Sequence, residues 1–404
     1  MVVLFVYYTF TMVIERGVMR QIDAFLNTQE AIVLTGMRRT GKTTLLRYYY
    51  ERLQTDNKIF VDFENILNRK YFQETNYEAI RKHLEFLGLD FSRNAFVFID
   101  EIQFVSNLPS VVKYLIDHYR VKFFLTGSAS FYLKGLFAES LAGRKVLFEI
   151  FPLTFREFLA FKGKRFQLPE DPFPISDEIY ETLMPLYDEY MYYGGFPGVV
   201  LNSSVKEKKK ALEDILTSYF QFEVMQFSDF RKNDSLRDLI LLLMQSIGSK
   251  IDILRLSRDI GISRHTVHDY LAFLEGTYLI STIKPFSRGR GTEIRKSPKV
   301  YFCDSGLINH FARLDEGHIF ENTVYQNLRT MGNLHYYQRK SGVEIDFILN
   351  RETAYEVKLS ADINDLRRLR ALAKDLGLKG FYLVSKKKSK QQSEGVLYGF
   401  MVDS

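Results

Sequence analysis

The stretch Ala31-Ile32-Val33-Leu34-Thr35-Gly36-Met37-Arg38-Arg39-Thr40-Gly41-Lys42-Thr43-Thr44 decides the reading of this chain. Ala31 to Leu34 form a short, continuously apolar run, as a strand buried on both faces requires. Two glycines then bracket a turn, and Lys42 to Leu53 have helical character. Glycines let backbone N–H groups swing toward an anion, and the amino end of the following helix adds its dipole. Lys42 is placed to reach outer phosphates, and Thr43 to offer a hydroxyl to magnesium. Gly36, Met37, Arg38, Arg39, Thr40, Gly41, Lys42, Thr43 and Thr44 are therefore the expected cradle for the phosphates of a nucleotide, with ATP and Mg2+ as cofactors.

A second acidic element supports the first. Phe96-Val97-Phe98-Ile99 is another buried strand, and it ends in Asp100-Glu101. Asp100 is expected to hold the magnesium ion. Glu101 is expected to orient and deprotonate the attacking water. Leu125-Thr126-Gly127-Ser128 ends a further strand, where a polar side chain can sense the terminal phosphate; Ser128 or Thr126 is the candidate. Arg144 is a candidate arginine finger, supplied by a neighbouring subunit. Asp62 and Glu64 alternate along the strand Lys58 to Phe63 and are weaker candidates for the same site.

Outward from this core, strands at Lys58 to Phe63, Ala95 to Ile99 and Val121 to Leu125 alternate with helices at Tyr77 to Leu87 and Leu108 to Tyr119. A short helix at Arg20 to Gln29 precedes them. Buried strands alternating with helices predict an α/β unit, a parallel sheet with helices on both faces, over residues 1–150. Residues 151–232 are helix-rich and Tyr-rich and read as a helical lid. Their lysine run, Lys206 to Lys210, reads as a solvated helix face. Residues 233–297 change pattern. Leu254 to Ile260, the turn Gly261-Ile262-Ser263 and Arg264 to Leu274 read as helix, turn, helix, with Ser263 as N-cap. A strand at Tyr278 to Ile283 and the basic loop Ser287 to Lys296 complete a winged-helix pattern. His265 and His268 lie on its second helix and have no cysteine partners, so a zinc site is excluded. Arg264, Arg288, Arg290, Arg295 and Lys296 are candidate phosphate contacts. Residues 298–404 carry strands at Val300 to Cys303, Val343 to Leu349, Thr353 to Leu359 and Gly380 to Val384, with a helix at His318 to Arg329.

Bulk properties agree. With 404 residues and 46% hydrophobic content, the chain can bury several cores. A net charge of +6 is a weak pointer to nucleic acid. The single cysteine, Cys303, sits in an apolar run and is expected to be a buried thiol, in keeping with a reducing cytoplasm. Met1 to Ile14 is apolar but too short to span a bilayer, and no other stretch reads as transmembrane, so no membrane partner is expected.

The residues Gly36 to Thr44, Asp100-Glu101-Ile102-Gln103, Thr126-Gly127-Ser128 and Leu141-Ala142-Gly143-Arg144 together resemble the AAA-type ATPases of bacteria and archaea that carry a C-terminal domain of unknown function. The resemblance continues through Phe151-Pro152-Leu153, Gly194-Gly195-Phe196-Pro197, Val300-Tyr301-Phe302-Cys303-Asp304 and Glu344-Ile345-Asp346-Phe347, and so covers nearly all of the chain after Met19. Arg38-Arg39 within the loop is typical of that family. The resemblance implies a P-loop ATPase, a winged helix and a terminal α/β domain similar to restriction-type nucleases. It does not supply a physiological role.

The terminal residues carry chemistry of their own. On the first of two adjacent strands, Val343, Ile345, Phe347 and Leu349 are expected on one face, with Glu344 and Asp346 on the other. On the next, Tyr355, Val357 and Leu359 leave Glu356 and Lys358 opposite. Glu321 approaches from a helix. Glu321, Asp346 and Glu356 are candidate magnesium ligands, with Lys358 to stabilise developing charge. The set resembles the acid, then acid-x-lysine signature of the PD-(D/E)xK nucleases. Salt-bridged charges on a solvated sheet face would give the same letters. Three readings stay open: an ATPase acting on DNA, a nucleotide-switched regulator of protein interactions or homo-oligomerisation whose terminal domain is catalytically silent, and a metal-dependent nuclease gated by ATP.

Overall fold

A computed structural model describes residues 14–128, 141, 143–166, 175–225, 233–287, 296–312, 314–339, 341–388 and 393–403. The chain forms two compact units. One takes the described residues through Thr35, then Gly41–Gly127 and the segment ending at Glu149; the other takes Gly36–Thr40 and Ile150 onward.

The first unit is built on five parallel strands: β1 (Ala31–Thr35), β2 (Lys58–Asp62), β3 (Ala95–Asp100), β4 (Val121–Gly127) and β5 (Lys145–Glu149). Their order is β2-β3-β4-β1-β5. Four of the five follow the expected pattern. The fifth, β5, was not expected: its sequence Lys-Val-Leu-Phe-Glu is polar at both ends, and it lies at the sheet edge beside β1. The first helix is Gly17–Asp23, earlier than the Arg20 to Gln29 expected.

Alternation along the buried strands sends side chains to both faces. On one face Phe98 and Phe124 stack at 4.4 Å between centroids. Tyr50 meets Phe98 edge-on at 5.3 Å, and Tyr49 stacks on Phe124 at 6.0 Å. These four rings seat the helix Lys42–Arg52 on β3 and β4, and each fully buried ring contributes about 1.5–3 kcal/mol. On the other face Val33, Val97, Ile99, Phe123 and Leu125 meet Ile80, Leu84, Val111, Val112 and Leu115 of the helices Tyr77–Phe86 and Leu108–His118. Lys122 points inward from β4 and donates to the carbonyls of Phe25, Thr28 and Glu30, and burial pulls its pKa down to about 8.

The second unit contains a mixed seven-stranded sheet: β6 (Ile280–Pro285), β7 (Lys299–Phe302), β8 (Leu334–Gln338), β9 (Glu344–Leu349), β10 (Thr353–Ser360), β11 (Gly380–Lys387) and β12 (Val396–Tyr398), in the order β12-β11-β10-β9-β8-β6-β7. The helix Glu316–Leu328 covers one face with Phe320, Val324 and Leu328. The helix Ile363–Leu376 covers the other with Leu366, Leu369 and Leu372. From Glu316 to Lys387 the order is thus helix, three strands, helix, strand. β6 and β7 pair antiparallel across the expected boundary at 297–298.

Ahead of that sheet come the helices Asp177–Tyr193, Val205–Tyr219, Asn233–Met244, Ile253–Ile260 and Arg264–Gly276. The Ser204 and Glu207 side chains cap the second of these reciprocally. Ser263 caps the last through the amide of Thr266, as expected. Within the lysine run, Lys208 departs from a solvated face: it is buried, pairs with Glu189 and lies over the ring of Tyr193. The strand expected at Tyr278 is observed from Ile280, because Tyr278 takes a left-handed φ of 63°. Cys303 is buried, as expected.

One expectation about β9 is corrected. Opposite Tyr336 the strand carries an extra residue, since His335 pairs with Ile348 while Tyr337 pairs with Ile345. The bulge at Asp346-Phe347 breaks the period of two. Phe347 and Leu349 pack on one face, whereas Ile345 joins Ile348 on the other. Ile345, Phe347 and Leu349 therefore do not share a face.

Candidate functional site

In a parallel sheet, the carboxyl ends of the strands are where ligands gather. β1 ends at Thr35, β2 at Asp62, β3 at Asp100 and β4 at Gly127, and the register sets Asp62 beside Asp100 and Thr35 beside Gly127. The phosphate loop leaves this edge directly. Gly36 has φ +147°, and a Cβ there would stand 2.2 Å from the carbonyl oxygen of Ile150, so only glycine fits. Arg39 adopts φ 66°, a strained value for a residue with a side chain. Thr40 Oγ1 donates to the carbonyl of Met37 at 2.9 Å and holds the turn.

Gly41, at φ 98°, is the N-cap of the helix Lys42–Arg52, and no side chain caps that end. First-turn amides of a helix opened in this way are ready anion ligands. Lys42 follows at the first helical position, 5% exposed. Thr43 is half-buried, and Thr44 is exposed.

Asp100 and Glu101 are both buried, at 5% and 8% exposure. The hydroxyl of Thr126 donates to Asp100 Oδ1 and accepts the Glu101 amide at 3.3 Å. Glu101 takes φ 56° and ψ 51°, a left-handed conformation, and its carboxylate accepts from the Gln103 side chain. Backbone strain of this kind collects at functional positions. Thr126 is thus the β4 residue in direct contact with the acid pair. Ser128 is buried just beyond. Asp62 uses its carboxylate on the amide of Glu64 at 2.8 Å, a local turn, and Glu64 is exposed. Gln103 was missed by sequence reasoning, although its place two residues after Glu101 was visible.

These residues fit a nucleotide with magnesium. The turn is one that only glycine can make, and the oxygens of Asp100 and Thr43 are hard donors of the kind magnesium prefers. Thr43 and Asp100 are the residues that would hold the ion.

Arg144 stands elsewhere. It precedes β5, whose Lys145 pairs with Ala31, so it is level with the amino end of β1. Five residues of strand, about 17 Å, separate that level from the start of the phosphate loop. There Arg144 pairs with Asp117 at 2.6 Å, beside a cavity of about 750 Å³ that is also lined by Glu30, His118 and Arg120.

In the second unit the loop arginines have partners. Arg38 Nε donates to Glu223 Oε1 at 3.1 Å and its guanidinium lies 4.5 Å from the Phe222 ring. Arg39 donates to Ser218 Oγ at 2.8 Å. Phe222 and Glu223 lie on a π-helical turn, Phe220–Val224.

The terminal carboxylates are also engaged. Glu321 Oε1 accepts from Tyr301 at 2.7 Å, and Asp346 Oδ2 from the Val357 amide at 2.8 Å. Glu356 pairs with Lys358 at 2.9 Å and with Arg368 at 3.6 Å. Burial, then the neighbouring Asp346 carboxylate, push Glu321 and Glu356 up to about 7, while Lys299 opposes the shift at Glu321 and Lys358 at Glu356. Among the described residues no group of three or more acidic, His or Cys side chains is arranged to hold a metal. Glu321 Oε1, Asp346 Oδ2 and Glu356 Oε1, on the carboxylates expected to hold magnesium, each already have a donor or cation of the chain, whereas Glu356 Oε2 is buried with no hydrogen-bond partner. Lys299, Tyr301 and Arg368 were missed by sequence reasoning.

The helix Arg264–Gly276 exposes Arg264, His265 and His268, and His265 pairs with Asp269 at 2.8 Å. Lys296 is described and exposed, whereas Arg288, Arg290 and Arg295 lie outside the described residues. No helix of the described residues is long and apolar enough to cross a membrane.

Residues 28–159 match a family described as AAA domain. Residues 184–318 and 316–400 match two families described as domains of unknown function, DUF8612 and DUF4143. An uncharacterized protein of Methanocaldococcus jannaschii is 28% identical over 87% of this chain and 79% of its own length. One of Haemophilus influenzae is 29% identical over 84% of each. Among solved structures, the Walker-type ATPase PABY2304 of Pyrococcus abyssi aligns over 75% of this chain and 96% of that one, at 17% identity and a TM-score of 0.47. The Aeropyrum pernix ORC1 protein in complex with DNA aligns over 72% and 89%, at 14% identity and 0.34. The family match over residues 28–159 and the loop geometry support an AAA-type P-loop ATPase domain there.

Proposed function

We propose that this chain binds ATP with magnesium, hydrolyses it, and uses the cycle to act on nucleic acid through its second unit. The observation that carries the ATPase half is the Thr126–Asp100–Glu101 arrangement at the carboxyl ends of β3 and β4, beside the strand that feeds the phosphate loop. Backbone amides from Met37 to Thr43 bind the phosphates, and Lys42 places its ammonium on the outer ones. Bound magnesium supplies charge neutralisation across the phosphates. Glu101 takes the proton of the attacking water as general base. Thr126 holds Asp100 in place and presents its hydroxyl near the reacting group. Arg144 acts in trans, since its place at the amino ends of the strands is remote from its own loop.

Phosphate release by the full chain tests this reading. The wild type should turn over, and Glu101→Gln should bind ATP yet lose activity by about 10²–10⁴-fold. Turnover of Glu101→Gln at the wild-type rate would remove Glu101 as the base.

The nucleic-acid half is supported by the helix pair Ile253–Ile260 and Arg264–Gly276, the cap at Ser263 and the antiparallel pair β6–β7, an arrangement in keeping with a winged helix. DNA should bind with an affinity that falls steeply with salt and should stimulate ATPase turnover. The order helix, three strands, helix, strand supports a nuclease-like terminal fold. The paired carboxylates favour a second reading for that domain alone: a catalytically silent platform for protein partners, toggled by nucleotide.

A further inference from the structure

The terminal sheet gathers acids around a lysine. Lys299 opens β7 and is 4% exposed. Its Nζ pairs with Glu344 Oε1, and stands 3.7 Å from Asp346 Oδ1 and 4.0 Å from Glu321 Oε1. The ring of Tyr336 lies beneath it at 5.5 Å. Two of these acids have further partners. Tyr301 donates to Glu321, and Gln338 donates to Glu344 Oε2 at 2.9 Å. Gly248, at φ +69°, brings its backbone so close to Glu321 that a Cβ would stand 2.6 Å from Oε1. Glu356 pairs through Oε1 with Lys358 and Arg368, not with Lys299. Four carboxylates (Glu321, Glu344, Asp346, Glu356) thus pair with one buried cation, Lys299, and two more exposed ones, Lys358 and Arg368.

We infer that Lys299 is the resident cation of Glu321, Glu344 and Asp346: its ammonium holds the cation position that Asp346 and Glu321 share, which a divalent ion on these two acids would need. A divalent ion needs several oxygens at about 2.0–2.6 Å. To obtain Glu321 and Asp346 it must expel the ammonium, and a buried lysine stripped of its three acids would lose the partners that offset its desolvation. The arrangement was hidden from the sequence because Lys299 lies 22 residues before Glu321 and 47 before Asp346, on a strand that meets the cluster only through the sheet and helix packing. The inference is independent of the ATPase reading, since every residue it uses lies in the second unit.

Mn2+ titration of the full chain without nucleotide, read by the electron paramagnetic resonance of free Mn2+, tests it. Wild type and Asp346→Asn should bind Mn2+ alike, whatever the phosphate loop retains. Lys299→Met should gain one further ion with a Kd of about 10⁻⁴ M or tighter, and the double variant Lys299→Met/Asp346→Asn should lose it. An ion in the wild type that Asp346→Asn abolishes would overturn the inference. So would a folded Lys299→Met that gains none. Should Lys299→Met fail to fold, the wild-type and Asp346→Asn comparison decides alone: equal binding supports the inference, and an Asp346-dependent ion overturns it.

Discussion

Thr126 donates its hydroxyl to Asp100 Oδ1, so the residue at the end of β4 fixes the carboxylate at the end of β3. Thr126 Oγ1 also accepts the amide of Glu101 at 3.3 Å, which ties the strained backbone of the proposed base to the same hydroxyl. Removing that hydroxyl should misplace both acids at once. Thr126→Val should lower kcat by about 10²-fold, the scale of losing one positioned donor at a reacting centre, while ATP affinity changes only a few-fold. Ser128→Ala should cost less. Steady-state kinetics of the two variants would show the order, and a larger loss for Ser128→Ala would return the sensor role to Ser128.

Arg144 yields a prediction of a different kind. Its pairing with Asp117 at the amino edge of the sheet places it about 17 Å from the level of the phosphate loop in its own subunit. Arg144→Ala and Glu101→Gln should each be inactive alone. Mixed in equal amounts they should regain turnover, because an intact loop in one subunit can meet an intact arginine from another. Turnover that rises more steeply than protein concentration should accompany the recovery. No recovery in a mixture shown to form mixed oligomers would remove Arg144 from the mechanism.

Within the second unit, the Gly194-Gly195 turn depends on Asp304. This buried carboxylate accepts the amides of Gly195 at 2.7 Å and of Gly306 at 2.9 Å, joining the turn to the start of the helix Ser305–Ala312. A Cβ on Gly194, which sits at φ +77°, would stand 1.9 Å from Asp304 Oδ1. Gly194→Ala should therefore cost about 3 kcal/mol in urea unfolding, from backbone strain plus a displaced buried carboxylate. A loss below about 0.5 kcal/mol would mean that the turn gives way freely.

The terminal cluster should show in the pH dependence of stability. Glu321 and Glu356 keep their protons up to about 7 in the folded chain, whereas unfolded glutamates lose theirs near about 4.3. Between those values the folded state binds more protons than the unfolded one, so these groups lower stability as pH rises from about 4.5 to about 7. Urea midpoints at pH 5.5 and 7.5 should fall for the wild type and fall less for Glu321→Gln. An equal fall in both would show that Glu321 does not titrate in this window.

Much of the first unit was legible in the sequence because its signals are local. Strand, glycine turn and helix follow one another within Ala31 to Leu53, and the acid pair ends an unbroken apolar run. β5 escaped because a short edge strand with polar ends carries no periodic signal. In the terminal domain the strands were legible but the facing of β9 was not. Alternation assumes one residue per partner, and the bulge at Asp346-Phe347 violates it. The partners of its acids were further out of reach: Lys299 lies 22 residues before Glu321 and 47 before Asp346, and Arg368 reaches Glu356 from the next helix, so only the folded domain brings them together. The contact of Arg38 with Glu223 spans 185 residues and had no local trace either.

The most direct measurement is calorimetric titration of the folded full chain with ATP in the presence of Mg2+, alongside Lys42→Ala. The phosphate-loop account predicts saturable binding in the micromolar range for the wild type and at least about 100-fold weaker binding for the variant, the loss of about 2.7 kcal/mol. A well-folded wild-type chain that takes up neither adenine nor guanine nucleotide, or a Lys42→Ala chain that binds as tightly as its parent, would contradict it.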